Sequence, residues 1–104
     1  MSTEQPTEKE LLKTVLEPLL DDFQYWFERS LSLLKSEQMP FFTAREQTEI
    51  LEQIVRAKQE VQTSQMLFKA TDGAAGIDSK MLLSWHQLVA ECWNIGRKWR
   101  ESKS

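Results

Sequence analysis

Apolar residues recur at three- and four-residue intervals along three segments of this chain, and this spacing limits its fold more than any other feature. A helix turns by about 100° per residue, so residues spaced in this way share one helix face. The first interval between segments contains Pro40, and the second contains Gly73, a residue suited to the left-handed end of a helix. The pattern predicts an all-α chain of three helices.

Recognisable capping sequences precede all three segments. Thr7 and Thr43 are each followed three residues later by glutamate, which is the capping-box pattern. Ile77 and Asp78 supply a hydrophobic staple and an N-cap for the third helix. We therefore expect helices at about residues 7–36, 43–72 and 78–100, and flexible tails at residues 1–6 and 101–104.

Pro18 interrupts the first segment, where it removes one backbone donor. The apolar stripe keeps its phase on both sides of Pro18, so we expect one kinked helix rather than two. Two short connections between three long amphipathic helices predict an antiparallel up-down-up three-helix bundle formed by residues 7–100.

Each predicted helix contributes one apolar face to the core of this bundle. The first face contains Leu12, Val15, Leu16, Leu19, Phe23, Trp26, Phe27, Ser30 and Leu34. The second contains Ile50, Ile54, Ala57, Val61, Ser64 and Phe68, and the third contains Leu82, Trp85, Val89, Cys92, Gly96 and Trp99.

The composition favours a small helical protein of the cytoplasm. With 40% hydrophobic and 28% charged residues and only three glycines, the chain is neither disordered nor rich in turns. Its single cysteine excludes an internal disulfide, and its first seven residues lack the pattern of a signal peptide. No apolar run reaches the roughly 20 residues of a membrane span, so any membrane contact is expected to be peripheral.

The sequence contains no pattern that predicts catalysis. His86, the only histidine, has no metal ligand at a suitable helical spacing, and we interpret it as a half-buried structural residue. Cys92 is interpreted as a small buried hydrophobe. We therefore predict no catalytic residues, no metal, no cofactor and no enzymatic activity. The alternative is a small-molecule or pigment-binding bundle that uses Cys92 and His86.

Basic residues are concentrated at the end of the chain, in an otherwise acidic sequence with a net charge of −3. Cations in the last turns of a helix complement its dipole, and we favour this interpretation. A second alternative is a peripheral membrane or nucleic-acid contact through this basic segment, although nucleic acid is not the expected partner. The residues concerned are Arg97, Lys98, Arg100 and Lys103.

Aromatic residues beyond what a small core needs indicate a protein-binding surface. We therefore predict an interaction module that acts as an adaptor, an assembly factor or a regulator. A weaker apolar ridge on the second helix predicts a homodimer as a further possibility. The candidate contacts are Tyr25, Trp93 and Trp99 in the aromatic group, and Leu51, Val55 and Met66 in the ridge.

Three stretches of the chain, Glu8–Ser30, Leu67–Thr71 and Trp85–Trp93, together resemble a small cyanobacterial protein family of unknown function. The resemblance covers most of the chain and implies a helical protein from a photosynthetic bacterium. It brings no catalytic residues to transfer. It suggests a photosynthetic complex or the thylakoid surface as the client of the interaction module.

Overall fold

The computed structural model describes residues 7–103, with the side chain of Lys9 excepted, and consists mainly of three helices. They are α1 (Glu8–Ser36), α2 (Ala44–Ala70) and α3 (Ser79–Lys103). The described residues include no β-strand. The predicted all-α three-helix fold is confirmed, and the predicted helix ends lie within three residues of the observed ones. The predicted tail at residues 1–6 lies outside the described residues, as does Ser104.

The predicted capping interactions form at the start of each helix. The hydroxyls of Thr7 and Thr43 accept hydrogen bonds from the backbone N–H groups of Glu10 and Glu46, at 3.1 and 3.0 Å. Each glutamate carboxylate accepts in return from the backbone N–H of its threonine. The Asp78 carboxylate accepts from the backbone N–H two residues later, at 2.8 Å. These bonds satisfy donors that a helix start leaves free, which explains why the boundaries could be predicted locally.

At the end of α2, the first residue with a left-handed backbone conformation is not the one that was predicted. Asp72 has a φ of +51°, and Gly73 follows with a φ of +83°. The Asp72 N–H donates to the carbonyl of Lys69 at 3.2 Å, and the Gly73 N–H donates to that of Phe68 at 2.7 Å. This pair of bonds is the Schellman motif, with Asp72 in the left-handed position predicted for glycine. Aspartate tolerates that conformation better than most residues.

Replacing Gly73 by alanine is expected to lower the free energy of unfolding by about 2 kcal/mol. A Cβ atom there would have an unfavourable φ and would lie 2.8 Å from Cγ of Lys13. Gly76 is the matched control, because its φ is +66° but a Cβ atom added to it would have no neighbouring atom within 4 Å. Gly76→Ala is expected to cost only about 1 kcal/mol. Urea denaturation measures both values, and equal losses would show that the contact with Lys13 has no effect.

Contacts between α1 and α2 pair their residues in reverse order along the chain. Lys13 near the start of α1 forms an ion pair with Asp72 after the end of α2, and Glu28 forms one with Lys58. Pro18 lies inside α1, which is one continuous helix as expected. A kink at Pro18 stays a prediction.

The core lies between the three helices and contains most of the predicted apolar faces. Its largest fully buried side chains are Leu20, Phe27, Met39, Ile54, Val61, Phe68, Trp85 and Val89. Leu12 and Val15 were also predicted to be core residues, but they are 54% and 62% exposed. The prediction for these two residues is wrong.

The exposure of Leu12 and Val15 follows from the position of α3 along α1. Trp85, in the second turn of α3, packs edge-on against Phe23 with 5.8 Å between the ring centroids. Leu12 lies eleven residues before Phe23, which is about 16 Å along a helix. The first turns of α1 therefore extend beyond the start of α3, and their apolar face has no third helix to cover it.

The connection between α1 and α2 is held by one buried polar side chain, Gln47. Its Oε1 accepts from the backbone N–H of Met39 at 2.7 Å. Its Nε2 donates to the carbonyls of Leu34 at 2.9 Å and Glu37 at 2.7 Å. Met39 itself is fully buried. Gln47 thus satisfies carbonyls that the end of a helix leaves without intrahelical partners.

Helix α3 runs to Lys103, whereas a flexible tail was expected from residue 101. Glu101 forms an ion pair with Arg97 at 3.4 Å, one helical turn earlier. The Ser102 hydroxyl donates to the carbonyl of Trp99 at 2.7 Å. These contacts between successive turns support the last turn of the helix.

Candidate functional site

A groove of about 360 Å³ lies between α1 and α3. We call it the tryptophan groove, because three of the four tryptophans of the chain line it. Its lining residues are Trp26, Arg29, Ser30 and Leu33 from α1, and Cys92, Trp93, Ile95, Gly96, Trp99 and Arg100 from α3. Since α2 contributes none of these residues, the groove is a feature of the α1–α3 pair.

Aromatic rings continue from the groove onto the surface of α1. Trp93 meets Trp26 edge-on at a centroid distance of 5.7 Å, and Trp26 meets Tyr25 edge-on at 5.0 Å. Trp93 and Tyr25 remain 47% and 51% exposed. The Tyr25 hydroxyl accepts a hydrogen bond from Arg29 at 2.9 Å. The groove and the adjoining surface therefore form one aromatic patch that spans both helices.

Gly96 lies between Trp93 and Trp99 on α3 and lines the groove. A Cβ atom at Gly96 would approach only the Arg100 side chain, at an ordinary contact distance of 3.5 Å. Packing therefore does not require glycine at this position. Glycine inside a helix costs about 1 kcal/mol relative to alanine.

Two arginines provide the charge of the groove, one from each helix. Neither Arg29 nor Arg100 forms an ion pair with any residue in the described part of the chain, 7–103. Of the arginines outside the groove, Arg45 and Arg97 each pair with a glutamate one turn away, and Arg56 has no ion pair within residues 7–103. These two guanidinium groups make the groove locally cationic. The chain as a whole is acidic, with a net charge of −3.

Cys92 lines the groove as a buried thiol. Burial raises the pKa of Cys92, and Glu91 raises it further, while a hydrogen bond with the Ser30 side chain lowers it in part. The thiol is therefore protonated at neutral pH and is a poor nucleophile. Among the residues described, no three His, Cys, Asp or Glu side chains are grouped in a way that could hold a metal ion.

The structure does not bring His86 and Cys92 together. His86 is exposed and does not line the groove, so the expectation of a half-buried histidine is wrong. The two residues are six positions apart on α3, which places them about 120° apart around the helix. A pigment or other small molecule in the groove could therefore contact the Cys92 thiol but not His86.

The predicted contact residues fall in two separate places. Trp93 and Trp99 line the groove and Tyr25 adjoins it through Trp26, so the three aromatic candidates come together. The predicted ridge on α2 is not one exposed surface. Leu51 and Val55 are half-buried against the core, whereas Met66 is 72% exposed. Self-association through this ridge stays a prediction.

Of the residues that line the groove, only Trp93 and Trp99 were among the candidate contacts, and those missed include Trp26, Arg29, Gly96 and Arg100. Trp26 and Gly96 were interpreted as core, and Arg100 as a partner of the helix dipole. One signal was available in the sequence. A glycine inside a helix lowers the stability of the helix, so its position between two tryptophans indicates a packing or functional role. The contribution of Arg29 had no such signal, since it depends on how α1 is rotated against α3.

The basic residues at the end of α3 are directed to several sides of the helix. Lys98 lies over the ring of Phe41 at 5.6 Å, and Lys103 lies over the ring of Trp99 at 4.4 Å. Arg97 contacts Asn94 and Glu101. Within residues 7–103, no helix combines the length and the apolar character that crossing a bilayer requires.

Comparison with known proteins gives one match. Residues 6–101 match a family described as "Protein of unknown function (DUF2605)". The chain belongs to the DUF2605 family. The matched range includes α1, α2, nearly all of α3 and every residue of the tryptophan groove. No curated protein and no solved structure matches the chain. The resemblance to a family of unknown function is thus confirmed, and the cyanobacterial origin of this DUF2605 protein stays a prediction.

Proposed function

We propose that this DUF2605 protein is a non-enzymatic interaction module that binds a partner protein in the tryptophan groove. The observation that carries the proposal is the composition of the groove, which combines three tryptophans with two arginines that lack ion pairs within residues 7–103. Tryptophan, tyrosine and arginine are the residues that contribute most binding energy at protein interfaces. Arginines on an ordinary solvated helix face do not need tryptophans beside them, so the combination favours a binding surface.

The exposure of Trp93 supports the same proposal. A tryptophan buries roughly 150 to 250 Å² when it packs fully, so a half-exposed one leaves much apolar area in water. Trp85, which precedes Trp93 on the same helix, is almost completely buried. The core therefore uses one tryptophan of α3 fully, and the groove presents another to the surroundings.

The module acts as an adaptor, an assembly factor or a regulator, because it binds without changing its partner chemically. The proposed setting is the cytoplasm, with a photosynthetic complex or the thylakoid surface as the client. A pigment in the groove is the alternative, and visible absorbance of the protein purified from its host distinguishes it from a colourless protein with a bound partner.

Filling the groove at Gly96 tests the proposal. Gly96→Leu places a side chain between Trp93 and Trp99, and the change is expected to keep the free energy of unfolding within about 1 kcal/mol of the wild type, since leucine is the better helix former. In pull-downs of the tagged full chain from its host, we expect partner recovery to fall at least about tenfold, the effect of roughly 1.4 kcal/mol. Quantitative mass spectrometry of the eluates measures this recovery.

Ala90→Leu is the matched control, because Ala90 is exposed on α3 and lies outside the groove. It adds the same apolar side chain to the same helix and is expected to leave partner recovery unchanged. If Gly96→Leu recovers the same partners in the same amounts as the wild type, the groove is not the binding site.

A further inference from the structure

We infer that the partner segment in the tryptophan groove is an acidic peptide with one large apolar side chain. Its carboxylates pair with Arg29 and Arg100, and its apolar side chain packs against the tryptophan rings that line the groove. This inference rests on the proposed function and specifies the chemistry of the partner.

Each of the two helices that form the groove contributes one arginine, Arg29 from α1 and Arg100 from α3. The hydrogen bond from Arg29 to the Tyr25 hydroxyl, at 2.9 Å, orients one guanidinium group. The other lies next to Gly96, because its Nη1 is 3.5 Å from the position that a Cβ atom would take there. Guanidinium groups bind carboxylates through paired hydrogen bonds. A peptide lying between the helices would therefore meet one such donor group from each helix.

The charge of the remaining surface supports an acidic occupant of this groove in particular. The chain as a whole is acidic, with 16 acidic and 13 basic residues. An acidic segment is repelled by most of such a surface and attracted to the cationic groove, which favours one binding position over others. A basic segment would have many other acidic positions to bind.

The size of the groove indicates how much of the partner it holds. Its volume of about 360 Å³ is near the lower end of the roughly 300 to 1,000 Å³ of ligand pockets. This space accommodates one large side chain and leaves the flanking residues of the partner at the rims. The walls are apolar rings, so the inserted side chain is apolar or aromatic.

The shape of the groove favours a peptide over a membrane or a nucleic acid. Its two arginines come from different helices and line a concave space, whereas a membrane-binding helix lays one continuous apolar face on the lipid surface. A nucleic acid presents a row of phosphates and is bound through an extended series of Lys and Arg contacts, whereas the groove has two arginines in an acidic chain.

Selection from a phage-displayed peptide library on the full chain tests the inference without assuming a sequence. We expect the enriched peptides to carry aspartate or glutamate beside a large apolar residue. The Kd of a labelled enriched peptide is then measured by fluorescence anisotropy for the wild type and for Arg29→Gln with Arg100→Gln. We expect the Kd to rise about tenfold for each arginine removed, as for hydrogen bonds to charged groups.

The control variant Arg45→Gln with Arg56→Gln removes the same charge from α2, outside the groove, and is expected to leave the Kd unchanged. Enrichment of neutral or basic peptides, or an equal Kd for both double variants, would overturn the inference. So would binding to phosphatidylglycerol vesicles that depends on Arg29 and Arg100 and that the peptide does not compete, because these arginines would then serve a membrane.

The pull-down separates the inference from the proposed function. If Gly96→Leu loses the native partner while the Arg29 and Arg100 double variant keeps it, the groove binds a protein but not through carboxylates, and only the inference fails. If Gly96→Leu keeps the partner, the proposed function fails. Loss of the partner in both variants supports both.

Discussion

Replacing Gln47 by leucine is expected to lower the free energy of unfolding by about 3 kcal/mol, one of the largest effects of a single change in this protein. Leucine keeps much of the side-chain volume but can neither accept from the Met39 N–H nor donate to the carbonyls of Leu34 and Glu37. A buried main-chain group without a partner costs about 1 to 3 kcal/mol. Water that enters the connection after the change would recover part of this loss.

Chemical denaturation with urea measures the effect, and Gln59→Leu is the matched control. Gln59 is an exposed glutamine on the same helix, so its replacement is expected to change the free energy of unfolding by less than about 0.5 kcal/mol. Gln47→Glu tests the two halves of the amide separately, because a carboxylate still accepts from Met39 but cannot donate to the two carbonyls. A Gln47→Leu protein as stable as the control would show that these three bonds contribute nothing net.

The helix boundaries could be predicted because the interactions that set them are local in sequence. Thr7 and Thr43 are capped by groups only three residues away, and the structure shows both interactions. The faces of α2 and α3 were also predictable, since a helical period decides which residues point the same way. Ile54, Val61, Trp85 and Val89 are all buried as that period requires.

Features that depend on how the helices meet could not be predicted in this way. The exposure of Leu12 and Val15 results from where α3 starts beside α1, and no periodicity encodes that offset. Gln47 looks like any polar helical residue in the sequence, yet it is buried because the connection folds back over it. Met39, in the same connection, is buried for the same reason.

The candidate site could be predicted only in part, because some of its features depend on residue type and others on how the helices pack. Tyr25, Trp93 and Trp99 stood out because large aromatic residues exceeded what three apolar faces need. The sequence could not show that Trp26 bridges Tyr25 to Trp93, or that Arg29 faces the side of α3 that carries Arg100. Those relations require the rotation of α1 about its axis relative to α3.

Two tryptophans of α3 are expected to differ strongly in their effect on stability. Trp85 is 1% exposed, packs against Phe23, and donates through its Nε1 to the Glu60 carboxylate at 3.3 Å. Trp85→Ala is expected to lower the free energy of unfolding by about 4 kcal/mol, through lost burial and the cavity that remains. Trp93→Ala removes a half-exposed ring and its edge contact with Trp26, and is expected to cost about 1 kcal/mol.

Urea denaturation followed by circular dichroism measures both changes, since fluorescence would be altered by the loss of either tryptophan. Trp85→Phe is a milder second variant for the case in which Trp85→Ala does not fold; it keeps an aromatic ring and loses the bond to Glu60, with an expected cost of about 2 kcal/mol. Similar losses for Trp85→Ala and Trp93→Ala would mean that Trp93 belongs to the core. A small loss of stability for Trp93→Ala, together with weaker binding of the partner, would show that Trp93 contributes to binding. The weaker binding could not then result from a destabilised fold, because the Trp93 ring hardly stabilises it.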